Sequence, residues 1–207
     1  MSIAIARPAV AQVPGDMELP KAVVDIRPAF SRYGQPVDLG SVRGLVFQEL
    51  PGSGWGIDVG GHWYAFRFRK VVVGFGASLV ASTGSQNTGI PVSPSPRAHK
   101  VDLSYVGLAP QLSLNFAGTN GWSYISGGLG PARLSVIVDD TPNPERPPST
   151  PRAVLNYGGG ARWFVTDRVA FTFDIRVHAI SPFLREGFGL LNPRMNLIVV
   201  SSGISLK

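Results

Sequence analysis

Residues 157–179 read YGGGARWFVTDRVAFTFDIRVHA, two alternating segments joined by Thr166-Asp167-Arg168. In the second segment Val169, Phe171, Phe173, Ile175 and Val177 share one face of an extended chain, and Thr172, Asp174, Arg176 and His178 share the other, because successive side chains of a strand point to opposite sides. The apolar face must leave water. In a soluble sandwich it would meet a second sheet, whereas in a transmembrane barrel it would meet lipid while the polar row lined a small lumen.

Composition narrows the choice. The chain has 207 residues, 44% apolar and only 15% charged, yet no uninterrupted apolar run of about 18 residues from which a membrane helix is built. A barrel escapes that test because only every second residue of each strand has to be apolar. The mean hydropathy of +0.14 suits this. With no cysteine the chain forms no disulfide, thiolate metal site or thiol nucleophile. The net charge of +6 comes from Lys and Arg scattered along the chain rather than gathered in a run, so nucleic acid is not an expected partner. Basic loops facing anionic lipid, or a basic lumen, explain the same charge.

Working outward from the hairpin, similar segments recur. Lys21 to Arg32 alternates Val24 and Ile26 with Asp25 and Arg27. Gly54 to Phe66 places Trp55, Ile57, Val59 and Trp63 opposite Asp58, Gly60 and His62. Lys70 to Ser82 places Val71, Val73, Phe75, Ala77 and Leu79 opposite small residues. In Lys100 to Phe116, Leu108, Leu112, Leu114 and Phe116 face outward against Gln111, Ser113 and Asn115, with a parity shift near Gly107 that reads as a bulge. Trp122 to Asp139 sets Leu134, Val136 and Val138 against Arg133 and Ser135, and Arg194 to Leu206 supplies a last strand. About eight strands result, with Val42 to Leu50 as a further short candidate.

The connections alternate in length. Those at 67–69, 117–121 and 166–168 are short; those at 33–53, 83–99, 140–152 and 181–193 are long, with 83–99 rich in Gly, Ser, Pro and Asn and 140–152 in Pro. That asymmetry belongs to an all-β, antiparallel up-and-down transmembrane barrel with short periplasmic turns and long outer loops. Strands of about 12 to 17 residues exceed the globular mean of about 5 to 6 and cover the roughly 9 to 11 needed to cross a bilayer. Trp55, Trp63, Trp122 and Trp163 lie near strand ends, where an interfacial aromatic girdle belongs. One domain is expected at 19–207. Residues 1–18 form an extended leader, in which Ala9-Val10-Ala11 has the small-x-small form of a signal-peptidase site.

Three stretches carry a resemblance. Leu19-Pro20-Lys21 precedes the first strand, Gly54-Trp55-Gly56 opens a strand after a long loop, and GGGARWFVTDR at 158–168 runs into Val169-Ala170-Phe171. On these the chain resembles the small outer-membrane β-barrels of Gram-negative bacteria, the OmpA/OmpX-like outer membrane protein beta-barrel domain group, across roughly Leu19 to Lys207. The resemblance implies a bacterial outer-membrane location, lipid and lipopolysaccharide as surroundings, and a structural or interaction role in the envelope. One departure is the ending Ile204-Ser205-Leu206-Lys207, where such barrels commonly finish on an aromatic residue.

No catalytic or cofactor motif stands out. His62, His99 and His178 lack metal-ligand spacing, and neither a nucleophile elbow nor a phosphate-binding loop occurs. The expectation is a non-enzymatic barrel without cofactor. Asp58, His62, Arg133, Arg162, Asp174, Arg176 and His178 are expected to face the lumen as paired charges, because an eight-stranded barrel has room for little besides side chains. Phe171, Phe173, Ile175 and Val177 are expected to face lipid. Loops 83–99 and 140–152 are candidate contacts for other envelope proteins. The alternatives are a lipid- or small-ligand-binding barrel, either a narrow transporter or a lipocalin-like carrier, and a lipid-modifying enzyme using His178 beside Ser181.

Overall fold

The computed structural model describes residues 19–35, 49–68, 71–88, 99–117, 121–139, 151–185, 189–192 and 194–207. The leader at 1–18, most of the short strand candidate at Val42 to Leu50, and the middles of loops 83–99 and 140–152 lie outside them. The described elements are strands: β1 (Ala22–Tyr33), β2 (Ser53–Phe68), β3 (Val71–Thr88), β4 (His99–Ala117), β5 (Gly121–Asp139), β6 (Arg152–Phe164), β7 (Val169–Ile180), β8 (Phe183–Arg185), β9 (Gly189–Asn192) and β10 (Met195–Leu206). Eight of them close an antiparallel barrel in the order β1-β10-β7-β6-β5-β4-β3-β2, and β8 and β9 form a separate hairpin.

This is the up-and-down barrel that the alternation implies. The β2–β3, β4–β5 and β6–β7 connections span only 69–70, 118–120 and 165–168, whereas those after β1, β3, β5 and β7 are long. The short turns, the start of β1 and the end of β10 share one end of the barrel, called the lower end here; the long connections share the upper end. Two expected loops are partly strand: β3 and β4 extend to Thr88 and from His99, and the stretch 181–193 contains β8 and β9. Glu49 and Leu50 are not strand.

The expected bulge near Gly107 is absent. The β3–β4 register runs unbroken from Val71 opposite Phe116 to Thr88 opposite His99. Within the described barrel strands the register shifts instead in β2, between Tyr64 and Phe66, and the separate hairpin has a second shift between Phe183 and Leu184. What changes near Gly107 is the environment. Below it, Leu108, Leu112, Leu114 and Phe116 point outward while Gln111, Ser113 and Asn115 are buried inside. Above it, Val101, Leu103 and Tyr105 are buried inside while Lys100 and Val106 are exposed and Asp102 and Ser104 half-exposed. The strand keeps its pleat and exchanges its solvent. The upper barrel has the polarity of a water-soluble protein and the lower barrel the reverse.

The outward apolar band includes Val24 to Phe30 on β1, Trp55 to Trp63 on β2, Val106 to Phe116 on β4 and Ile198 to Leu206 on β10. The β4 part, followed for ten residues at about 3.4 Å each and tilted by about 40°, stands roughly 26 Å tall. That matches the roughly 25 Å apolar band of membrane barrels, and an exposed belt of this extent is unstable in water.

Candidate functional site

The interior is layered. At the lower end Leu19, Val23, Tyr64, Val72, Trp122 and Tyr124 form an aromatic floor. At the upper end Tyr33, Val101, Leu103, Leu134, Val136 and Leu197 belong to a larger apolar cluster. Leu50, from the connection after β1, is buried in that cluster. Its carbonyl accepts a hydrogen bond from Gln35 Nε2 at 2.5 Å, and Tyr33 N donates to Gly52 O at 2.9 Å. A loop residue thereby closes the upper lumen.

Between these layers lie three carboxylates and three guanidiniums, all buried: Asp25, Asp58 and Asp174 with Arg27, Arg162 and Arg176. Arg162 holds Asp25 through Nε–Oδ1 at 3.0 Å and Nη2–Oδ2 at 2.5 Å, the two-pronged geometry that suits a planar guanidinium. Ser205 also donates to Asp25. Arg27 Nη2 lies 2.9 Å from Asp58 Oδ2, and Asp58 accepts from Ser78 and Ser201 at 3.0 Å each. Arg176 binds Asp174 through Nε at 3.2 Å and Nη2 at 3.0 Å, Ser126 at 2.7 Å and Asn156 at 3.0 Å.

Tyr124 joins the pairs. Its hydroxyl accepts from Arg27 Nη1 at 3.2 Å and donates to Asp174 Oδ2 at 2.7 Å, while Arg162 Cζ sits 4.3 Å from its ring centroid. Gln111 extends the chain of bonds to β4 through Asn156 at 3.1 Å. One hydrogen-bonded network therefore draws on all eight barrel strands. The charges cancel, Ser and Tyr hydroxyls donate to the carboxylates, and Asn156 and Ser126 accept from Arg176, which offsets much of the cost of keeping six ionised groups out of water; Arg162 Nη1 is left without a hydrogen-bond partner.

The glycines of β6 make room for it. A Cβ on Gly160 would stand 2.8 Å from the Tyr124 hydroxyl and 2.1 Å from Phe173 O, and one on Gly158 would stand 2.2 Å from Ile175 O. Gly160 leaves the gap that admits the Tyr124 hydroxyl, and Gly158 and Gly160 together let β7 come close.

Of the residues expected in the lumen, Asp58, His62, Arg162, Asp174, Arg176 and His178 are buried there. The two histidines are packed on tyrosine rings and form no hydrogen bond with the six ions. His62 lies beside the rings of Tyr64 and Tyr124, and His178 Nδ1 is hydrogen-bonded to Tyr105 Oη at 2.9 Å. Arg133 corrects the expectation: it is exposed and points outward, with Leu134 and Val136 inside. It lies above the polarity inversion, where apolar residues fill the lumen. Trp122 is a second correction, because it is buried in the floor against Tyr64 and Phe164 rather than placed in an outer girdle. Trp55, Trp63 and Trp163 point outward. Phe171 and Ile175 are exposed on the outer wall, with Phe173 and Val177 of the same parity half-exposed. Sequence reasoning left out Asp25, Arg27 and Tyr124, although the alternation of Asp25 and Arg27 with Val24 and Ile26 carries the signal.

No protein-family model matches the chain, and no curated protein matches its sequence. Solved structures do. Neisserial surface protein A is similar over 91% of this chain and 97% of its own, at 13% identity and a TM-score of 0.55. The attachment invasion locus protein Ail of Yersinia pestis, solved with the heparin analogue sucrose octasulfate, is similar over 89% of this chain and 97% of its own, at 14% identity and a TM-score of 0.53. At such identities the likeness is one of fold, the eight-stranded barrel of small outer-membrane proteins.

Proposed function

We propose that this chain, built on the fold of the small outer-membrane barrels, is an integral barrel of the bacterial outer membrane with a structural or interaction role in the envelope and no catalytic activity of its own. The observation that carries the reading is the closed interior. A neutral network from all eight strands lies between an apolar floor and an apolar upper layer, so the fold invests its lumen in cohesion rather than in passage. The outward belt adds to this, because a soluble carrier would leave it in water. The long connections all leave the upper end of the barrel, and loops 83–99 and 140–152 are the proposed surface for partner contact.

Fractionation of the native host tests the location. The protein is expected in the outer-membrane fraction, migrating differently on a denaturing gel before and after heating. Intact protein that stays monomeric in buffer without detergent would overturn the reading. Planar-bilayer recordings test the closed lumen, with no conductance above background expected.

A further inference from the structure

A dent of about 300 Å³ marks the outer wall where β2, β3 and β4 meet, lined by Trp55, Ile57, Ala81, Thr83 and Val106. The register explains its shape. Ile57, Ala81, Val106 and Arg133 are successive Cα partners across four strands, forming one row on the outer face that runs perpendicular to the tilted strands. Ala81 is the small member of that row, so the wall recedes between Ile57 and Val106. Trp55, Thr83, Ser104 and Ser135 form the next row up.

The two rows straddle the upper edge of the apolar belt. In the lower one, an apolar recess has Arg133 one strand beyond Val106, its Cα about 10 Å from that of Ala81 at two strand spacings, within reach of a long side chain. In the upper one, three hydroxyls stand beside an exposed indole. Arg133 forms no ion pair among the described residues. The outward carboxylate two rows above it, Asp102, is already held by Lys100 at 3.0 Å and Ser85 at 2.5 Å. A cation at this depth, beside hydroxyl donors and above an apolar dent, complements an amphiphile with an anionic head and a hydrocarbon tail.

We propose that this wall holds one phosphorylated membrane lipid, its acyl chain in the dent over Ala81 and its phosphate on Arg133 with Ser104 and Ser135 beside it. The inference rests on the membrane-spanning reading, and it adds a particular site to an otherwise uniform lipid boundary.

The test uses the full chain folded in maltoside micelles, which contain no phosphate, titrated with lipid A and examined by native mass spectrometry. One retained lipid per barrel is expected. Ala81→Phe, which fills the dent, and Arg133→Gln, which removes the charge, should each cut its occupancy at least threefold. Ala179→Phe, on the β7 wall, should leave it unchanged. A lipid A preparation stripped of phosphate should bind as weakly to the parent chain as lipid A does to Arg133→Gln. Equal occupancy in all three variants overturns the site, as would a dimer mass that is lost in Ala81→Phe and indifferent to lipid, which would assign the dent to a second copy. Failure of the parent chain to migrate as a folded, heat-modifiable species in micelles would instead count against the membrane reading.

Discussion

Asp25 on β1 and Arg162 on β6 meet as a two-pronged ion pair although 137 residues of chain separate them. Both side chains are fully excluded from solvent. Their attraction is set against the cost of stripping water from two ions, so the informative experiment removes one partner and then both.

Asp25→Asn or Arg162→Met alone leaves an uncompensated buried charge and is expected to cost about 3–5 kcal/mol. The double variant Asp25→Leu with Arg162→Met should recover most of that loss. Urea unfolding in micelles, followed by tryptophan fluorescence, measures it; a double variant as unstable as the singles would show that the pair does more than compensate itself.

Tyr124→Phe keeps the ring beneath Arg162 and deletes the hydroxyl that Arg27 and Asp174 share. The expected loss is about 1–3 kcal/mol, the range for leaving buried polar groups without a partner. The same unfolding assay reads it, and an unchanged midpoint would mean that the two charges find other partners.

The polarity inversion along β4 gives a depth-dependent expectation. Leu112→Arg, near the middle of the outward belt, should cost about 2–4 kcal/mol, and Ser104→Arg, above it, about 0–1 kcal/mol. Phe173→Lys on β7 should likewise block assembly. Folding into bilayer vesicles, scored by heat-modifiable migration, separates these cases; equal folding yields for Leu112→Arg and Ser104→Arg would refute the placement of the belt.

Leu103→Ala probes the upper lumen. A polar, water-filled interior would tolerate the change, whereas the packed apolar layer predicts a loss of about 2–5 kcal/mol. Leu103 is buried with Val101, Leu134 and Leu197 in one cluster, and a shift in the urea midpoint with unchanged slope reports the difference.

The barrel was legible because period-two patterning is strong where one face of each strand meets hydrocarbon and the other a charged interior. In β7, Phe171 and Ile175 against Asp174 and Arg176 leave no ambiguity. Arg133 was misplaced because polarity reports which solvent a face meets, not which side of the barrel it lies on. Above Val106 the outer solvent is water, and the rule that polar residues face the lumen changes sign. Trp122 was misplaced for a related reason: an indole near a strand end can cap a lumen or anchor in an interface, and only its parity with Tyr124 separates the two. The partners of Asp25 are set by closure of the whole barrel, so no local spacing discloses that Arg162 and Ser205 will be beside it.

The seam of the barrel, where β1 pairs with β10, has a bearing on the order of assembly. Asp25 is bonded to Ser205 across 180 residues, and Asp58 to Ser201 across 143. Until β10 docks, Asp25 and Asp58 lack a serine hydroxyl each, and their burial is complete only in the closed ring. Contacts this distant in sequence come late and slowly. The last strand to be made therefore supplies no charge to the network but the hydroxyls that finish the coordination of two carboxylates, which ties the first strand to the last through Asp25 and Ser205.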